Sequence, residues 1–286
     1  MAFAARKAER KQAKARVLID GPSGSGKTYG ALLLAKGIAP NGRIAVIDTE
    51  NGSADLYADL CEYDVIPFHP PYGPERYSEA IRYCESEGYD IIIIDSITHE
   101  WSGQGGCLEL QSALGGRFQD WAKITPRHQK FIDSILRSTK HIIATCRTKT
   151  SYEVDEKSRK VSKVGTAPVQ REGLDYEMTV VFDVTQQHLA CASKDRTRLF
   201  DGREEIITIE TGKRLADWLQ SGTEPAAEPQ VNTDSPIADS RQRCLAMHKE
   251  LSAKDNGAAA IIAGKIKAGM SFDDALSEYA KALSGW

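Results

Sequence analysis

Gly21-Pro22-Ser23-Gly24-Ser25-Gly26-Lys27-Thr28 stands between the apolar run Val17-Leu18-Ile19 and the helix-forming run Ala31-Leu32-Leu33-Leu34-Ala35. A strand, a glycine-rich turn with GxxxxGK[ST] spacing and a helix, in that order, make a phosphate cradle. Glycines at 21, 24 and 26 let the backbone turn tightly, so that successive N–H groups point inward. The helix that starts near Lys27 adds the positive end of its dipole. Lys27 is placed to reach the β- and γ-phosphates of a nucleoside triphosphate, and the Thr28 hydroxyl to ligate Mg²⁺. All eight residues (Gly21, Pro22, Ser23, Gly24, Ser25, Gly26, Lys27, Thr28) form the expected nucleotide-binding loop.

The chain has 286 residues, 27% of them charged, and a net charge of −3. That length allows one large α/β domain with something smaller beside it. The overall charge demands neither nucleic acid nor membrane, so any nucleic-acid site has to be a local patch. The six cysteines, at 61, 84, 107, 146, 191 and 244, are scattered without a CxxC pair. That pattern suits a reducing cytoplasm and indicates neither a zinc site nor a disulfide framework. The longest apolar run is too short to span a bilayer, and the basic N-terminus is not followed by an apolar signal segment. A soluble, cytoplasmic protein with no membrane partner is expected.

Residues 1–15 are Ala-rich and basic, with Arg6, Lys7, Arg10, Lys11 and Lys14 against Glu9 alone, and are expected to form a polar helix. Such an arm is either solvated or docks on a neighbouring subunit or a phosphate backbone. Strands are expected at 44–48, 65–68 and 89–95, with helices around 53–61 and over 75–87. Ile91-Ile92-Ile93-Ile94 marks a strand buried on both faces, as in a parallel sheet. Asp95 at its carboxyl end lies where open α/β sheets bind ligands, and is the expected Walker B residue, holding Mg²⁺ directly or through water. A glycine-rich loop at 102–106 leads into a helical region over 108–137, interrupted near Gly115-Gly116 and Pro126. A strand at 141–146 ends in Arg147. The polar, basic stretch 148–172, expected as a loop, carries Lys149, Lys157, Arg159, Lys160, Lys163 and Arg171. Strands at 178–184, 188–193 and 205–209 and a helix at 212–220 complete a core over 16–221.

Residues 222–237, with Pro225, Pro229 and Pro236, form the expected linker. A small helical domain is expected over 238–286. Leu245, Met247 and Leu251 lie on one helix, and Ile261, Ile262 and Ile266 on a second. A third is capped by Ser271 with Asp274 and carries Phe272, Leu276, Tyr279 and Leu283. Such a piece could dock a partner or another subunit, or act as a helix-turn-helix.

Hydrolysis of a nucleoside triphosphate further needs a group to orient water and a cation for the transition state. Glu50, at the end of the strand after the P-loop helix, and Glu100, five residues beyond Asp95, compete for the first role. A strand end at the carboxyl edge of the sheet points into the site, which favours Glu50. Lys194-x-Arg196 supplies two cations on one side of a strand end for the second role, or is a solvated hairpin end. The basic stretch 148–172 would neutralise backbone phosphates with salt-dependent, sequence-tolerant binding, and Tyr152 could stack on a base.

The segments GPSGSGKT, IAVIDTEN, IIIIDS and ASKDR occur here in the order of the RecA-like ATPases, which the chain resembles over about 16–221. Within them it is most similar to the bacteriophage group linked to single-strand annealing and recombination (the Sak-type proteins). The stretch DSITHEW…GQGGCLE at 95–109 carries that finer resemblance. The resemblance implies a RecA-like P-loop NTPase core with a mostly parallel sheet flanked by helices, with ATP and Mg²⁺ as cofactors. It implies a catalytic role for Glu50 and stacking of Tyr57 on adenine. Where RecA has a glutamine that senses the γ-phosphate, this chain has Arg147, or Cys146 if the register slips. A cation there would contact phosphate or DNA directly. Residues 103–116 and 148–172 fall at the two DNA loops, which makes Lys149, Tyr152, Lys157, Arg159, Lys160 and Lys163 the DNA-binding candidates. Lys194 and Arg196 resemble the cations that reach a neighbouring subunit's ATP, so the site would be completed on oligomerisation. The implied partners are single-stranded DNA, further copies of the chain as a filament or ring, and a single-strand-binding protein; a phage-encoded chain would act in the host bacterial cytoplasm.

Three activities fit these residues. One is a DNA-stimulated ATPase that assists annealing or strand exchange, and the second is a RecA-fold hexameric helicase or loader. The third is a P-loop phosphotransferase, for which an acceptor pocket and an Arg-rich lid would be needed. A non-catalytic nucleotide-dependent binding module would keep the loop without turnover.

Overall fold

The computed structural model describes residues 5, 7–154, 161–223, 236–267 and 270–283. The chain divides into two compact units, Met1–Thr223 and Glu224–Trp286. In the first, the order is β1 (Arg16–Gly21), α1 (Lys27–Ile38), β2 (Ile44–Asp48), β3 (Asp64–Pro67), α2 (Pro74–Ser86), β4 (Ile91–Asp95) and the short helices α3 (Thr98–Ser102) and α4 (Cys107–Ala113). There follow α5 (Trp121–Arg137), β5 (His141–Val154), β6 (Val161–Pro168), α6 (Leu174–Glu177), β7 (Val180–Val184), β8 (Leu189–Asp195), β9 (Glu204–Ile206) and α7 (Ile209–Gln220).

Every residue of β1, β2 and β4 is buried, because these strands lie inside a sheet covered on both faces. The strand order is β3-β2-β4-β5-β1-β7-β8-β9, with β6 added to β5 alone. The pairings from β3 to β7 along that path are parallel, and β8 and β9 are antiparallel additions. Successive side chains enter opposite cores. Val17, Ile19, Ile91 and Ile93 pack with Leu32 and Leu34 of α1 and Leu215 and Leu219 of α7. Leu18, Ile92 and Ile94 pack with Tyr77 and Ile81 of α2 and Phe131 and Ile135 of α5. The result is the expected α/β core, a mostly parallel sheet between two helical layers.

Several local expectations are corrected. Residues 7–15 are not helical. Lys11 bridges Thr223, Ala13 N–H donates to the Leu219 carbonyl at 3.2 Å, and the Arg10 guanidinium lies 4.4 Å over the Trp218 ring. The arm is thereby tied to the end of α7 in its own chain, where extended backbone satisfies groups that an isolated helix would leave in water. The expected helix at 53–61 is only a 3₁₀ turn at Ala54–Tyr57, since Gly52, Asp55 and Asp59 leave little helical drive. Helix α5 runs unbroken past Pro126, whose missing N–H forfeits one bond to Ala122, a residue exposed to water. The last strand is shorter than expected, and α7 starts at Ile209, capped by Thr208 and Thr211.

The largest correction concerns 148–172. Instead of a loop, β5 continues to Val154 and pairs antiparallel with β6, with Thr148 opposite Pro168 and Val154 opposite Val161. Thr148, Thr150, Tyr152 and Val154 alternate along β5, a period-2 pattern of β-formers that favours a ribbon over a loop.

The second unit holds α8 (Pro236–Lys254), α9 (Asn256–Lys267) and α10 (Phe272–Leu283). Leu251, Ile262 and Tyr279 are buried at its centre, with Met247, Ile266, Leu276 and Leu283 packed around them. Ile261 is not part of that core, being 64% exposed, and Ala259 takes the inward position. The Leu245 and Phe272 side chains lie outside the described part. Ser271 caps α10, accepting from the Asp274 N–H at 3.2 Å. No helix among the described residues is long and apolar enough to cross a membrane.

Candidate functional site

The parallel strands β1, β2, β4 and β5 deliver their carboxyl ends to one edge, as register requires. Asp48 stands opposite Asp95, and Gly21 opposite Arg147. The loop from Gly21 to Gly26 turns above that edge. Gly24 (φ 78°) and Gly26 (φ 86°) hold left-handed backbone that other residues adopt only with strain, and Gly26 caps the N-terminus of α1. Lys27 folds back over the loop, its ammonium donating to the carbonyls of Gly21 at 3.0 Å and Pro22 at 2.8 Å. Burial lowers the Lys27 pKa, while Asp95 and Glu50 oppose the shift. The cradle thus presents an ammonium and a helix N-terminus to whatever anion enters.

The Thr28 hydroxyl donates to Asp95 Oδ2 at 2.6 Å, and the Thr145 hydroxyl donates to Oδ1. Burial pushes the Asp95 carboxyl up, and the two hydroxyls pull it back. An oxygen pair of this kind, beside a phosphate cradle, suits a hard divalent cation such as Mg²⁺. Thr28 and Asp95 would hold it, and it would neutralise phosphate charge.

Glu50 lies just past β2. Its position is fixed by Asp48, whose carboxylate accepts the N–H groups of Glu50 and Gly52, each at 2.6 Å. The Glu50 carboxylate is held by Arg147, through Nε at 3.0 Å and Nη2, and by the Ser96 hydroxyl at 3.1 Å. His99 Nδ1 stands 3.9 Å away and is itself 2.8 Å from the Thr49 hydroxyl. Cys146 turns the other way, fully buried against the Thr98 hydroxyl at 3.5 Å. Arg147, not Cys146, therefore faces the cleft. Lys27, Thr28, Glu50, Asp95, Arg147 and Tyr57 line one cavity of ≈ 290 Å³.

Next to it, an apolar cavity of ≈ 400 Å³ is shared by Gly24, Gly26 and Tyr57 and closed by Tyr29, His188 and Ile207. Tyr29 and Tyr57 meet edge to face at 5.7 Å. His188, in left-handed backbone (φ 65°), places Nδ1 3.0 Å from the Ser25 carbonyl. An aromatic-walled hollow beside a phosphate cradle fits a nucleobase. Sequence reasoning found Tyr57 and missed Tyr29, His188 and Ile207. Tyr29 had a signal, since it opens the helix beside the loop, but His188 arrives from a distant turn.

Glu100, the rival of Glu50, is fully buried away from the cleft. It sits 3.0 Å from His128 Nδ1, 3.0 Å from the Cys107 thiol and 3.2 Å from Gln170 Nε2. Burial and Glu100 push the Cys107 thiol up. Glu100, Cys107 and His128 are the group among the described residues that could hold a metal ion. Hydrogen bonds already link them, and Gln170 ties them to the base of β6.

Lys194 and Arg196 are not brought to this cleft. Because β8 runs antiparallel to β7, Lys194 is level with Val181 and hence with Leu18. Lys194 Nζ and Arg196 Nη2 donate to the carbonyls of Asp175 and Tyr176, each at 2.7 Å. Lys149 is exposed on β5. Tyr152 and Lys163 face each other in the ribbon register, their side chains lying outside the described part, and Lys157, Arg159 and Lys160 lie outside the described residues altogether.

No curated protein is significantly similar to the chain in sequence. Solved structures that match it include the RadB recombinase, at 16% identity and a TM-score of 0.43, covering 71% of this chain and 90% of that one. Residues 13–216 match the AAA_24 family, described as an AAA domain, and the chain belongs to that family of P-loop ATPases.

Proposed function

We propose that the protein is an ATP-dependent, RecA-like protein that binds single-stranded DNA and acts in phage recombination or single-strand annealing, as a Sak-type member of its class. Its ATP would be hydrolysed at subunit interfaces. The carrying observation is the pairing of Glu50 with Arg147. Arg147 lies on β5, and the same strand continues outward into the basic ribbon. A polyanion on the ribbon, or a γ-phosphate in the cleft, competes with Glu50 for that guanidinium. Glu50 is then freed to accept the proton of the attacking water while the bond between the γ-phosphorus and the bridging oxygen breaks. The loop N–H groups and Lys27 would hold the phosphates, Thr28 and Asp95 would hold Mg²⁺, and Tyr29 and Tyr57 would flank the base.

The test is ATP hydrolysis with and without single-stranded DNA over a salt series. Stimulation that fades as salt rises is expected, because phosphate contacts release counterions. Lys27→Ala is expected to abolish turnover and nucleotide binding. Hydrolysis indifferent to DNA at every salt concentration would remove the recombination role, and normal turnover in Lys27→Ala would remove the site.

A further inference from the structure

Away from the nucleotide cleft, an open groove of ≈ 1030 Å³ runs between α3, the start of α5 and the segment after β6, lined by Trp101, Phe118, Trp121, Pro126, Arg171 and Glu172 among others. We propose that this groove receives unstacked bases of single-stranded nucleic acid, an inference that rests on the DNA-binding function proposed above and assigns it residues outside the ribbon.

Three features converge there. The first is apolar aromatic surface held in water. Phe118 is 90% exposed, more than any other large apolar side chain among the described residues. A ring so placed is costly unless something covers it. The second is rigidity. Trp101 and Trp121 stack with centroids 5.2 Å apart and planes 14° from parallel. Trp101 also meets the His128 ring edge-on at 5.7 Å. His128 is fixed by buried Glu100, and Gln170 Nε2 donates to Glu100 at 3.2 Å and to the Ile97 carbonyl at 3.0 Å. A fully buried carboxylate is expensive to maintain, and here its partners lock the aromatic platform to the foot of β6. Flat, pre-positioned rings are what a splayed base needs, because every base has a π-face to offer.

The third feature is charge. Arg171 lines the groove, and Arg117, next to Phe118, has a 74% exposed side chain whose Nε lies 3.8 Å from Asp120. Glu172 and Asp120 offset the two arginines, so the groove itself is a weak anion site. The exposed Lys149, at the root of the ribbon on β5, is placed to attract backbone phosphate. Stacking and charge are therefore divided between two neighbouring elements, and the division is measurable. Loss of a stacking ring weakens binding without changing how many counterions are released, whereas loss of a phosphate contact changes the salt slope.

The experiment uses the full chain with ATP and Mg²⁺ and a labelled oligo(dT) strand, with anisotropy and tryptophan fluorescence read together across a salt series. Trp101 and Trp121 are two of four tryptophans, so partial quenching that saturates with binding is expected. Phe118→Ala should weaken binding by about 5- to 150-fold with the slope of log K against log salt unchanged. Phe118→Trp should restore affinity, and Lys149→Glu should reduce the slope by about 1. Binding without quenching and indifferent to Phe118→Ala overturns the groove while leaving the proposed function standing. Quenching that follows protein concentration without DNA shows a second copy in the groove and also overturns it. Failure of the full chain to bind any oligonucleotide overturns the proposed function, and the groove with it.

Discussion

One residue before the phosphate loop, Asp20 is buried beside Asp183 of the next strand, the two being register partners. Burial, reinforced by the neighbouring carboxylate, pushes its pKa up to about 8. The folded chain therefore keeps a proton that the unfolded chain releases near pH 4. That protonation contributes stability in full below about pH 4, loses it progressively as pH rises, and contributes nothing above about pH 8. Asp20→Asn preserves shape and a donor toward Asp183 while removing the titration. Relative to Asp20→Asn, the unmodified chain is expected to lose about 7–14 °C in Tm between pH 5 and 8. A gap constant over that range, measured by thermal melts in matched buffers, would rule out the shared proton. At this scale the sequence was legible where contacts are local. The loop residues and Asp95 could be placed by spacing alone, and Glu50 by its strand end. Asp183, His188 and the partner of Arg147 became neighbours only through register between distant strands, which no spacing encodes.

Two glycines decide how the elements of one helical layer meet. A Cβ on Gly37 in α1 would lie 2.1 Å from the Ile209 carbonyl oxygen, and one on Gly212 in α7 would lie 2.3 Å from that of Leu34. The helices cross backbone to backbone, and that contact holds α7 against the P-loop helix. Helix propensity alone would favour Ala over Gly by about 1 kcal/mol. Overpacking costs about 1–3 kcal/mol, and contacts this close should place the effect at the upper end. With the propensity gain subtracted, Gly212→Ala is expected to lower Tm by about 4–8 °C, and a rise in Tm would mean the crossing can open without loss. Elements whose pattern was unambiguous, such as the four-isoleucine strand and the amphipathic α5, could be read from sequence. The ribbon was misread because its charges suggested a loop while its alternating Thr, Tyr and Val favoured strands. The arm was misread because its alanines and lysines favour a helix that contacts with α7 override.

Across the whole molecule, a second set of cations stands far from the P-loop. Arg196 N–H donates to the Thr179 carbonyl, and Thr179 N–H to that of Arg16, so Arg196 is level with the start of β1. It lies five strand residues, or roughly 16 Å, from the edge that bears the P-loop. Lys194 and Arg196 therefore cannot serve their own chain's ATP without dismantling β8. Desolvation and Arg196 lower the Lys194 pKa, while Asp175 and Glu177 oppose the shift, and both side chains donate to carbonyls of α6, which a stronger anion could displace. If a neighbouring copy presents that anion, catalysis needs the Glu50 of one subunit and the Arg196 of another. Arg196→Ala should then bind ATP normally and lose turnover by about 10³-fold or more, as for arginines supplied across an interface. Glu50→Gln should do likewise, by about 10²- to 10⁴-fold. Mixed in equal amounts, the two inactive variants generate interfaces in which an intact Glu50 faces an intact Arg196. Up to about one quarter of normal turnover should return if subunits assort at random around one catalytic interface. Recovery that vanishes on dilution, alongside dissociation followed by light scattering, would tie it to assembly. Absence of recovery at every mixing ratio, with both variants still assembling, would place the cations outside catalysis and leave them as ties between β8 and α6.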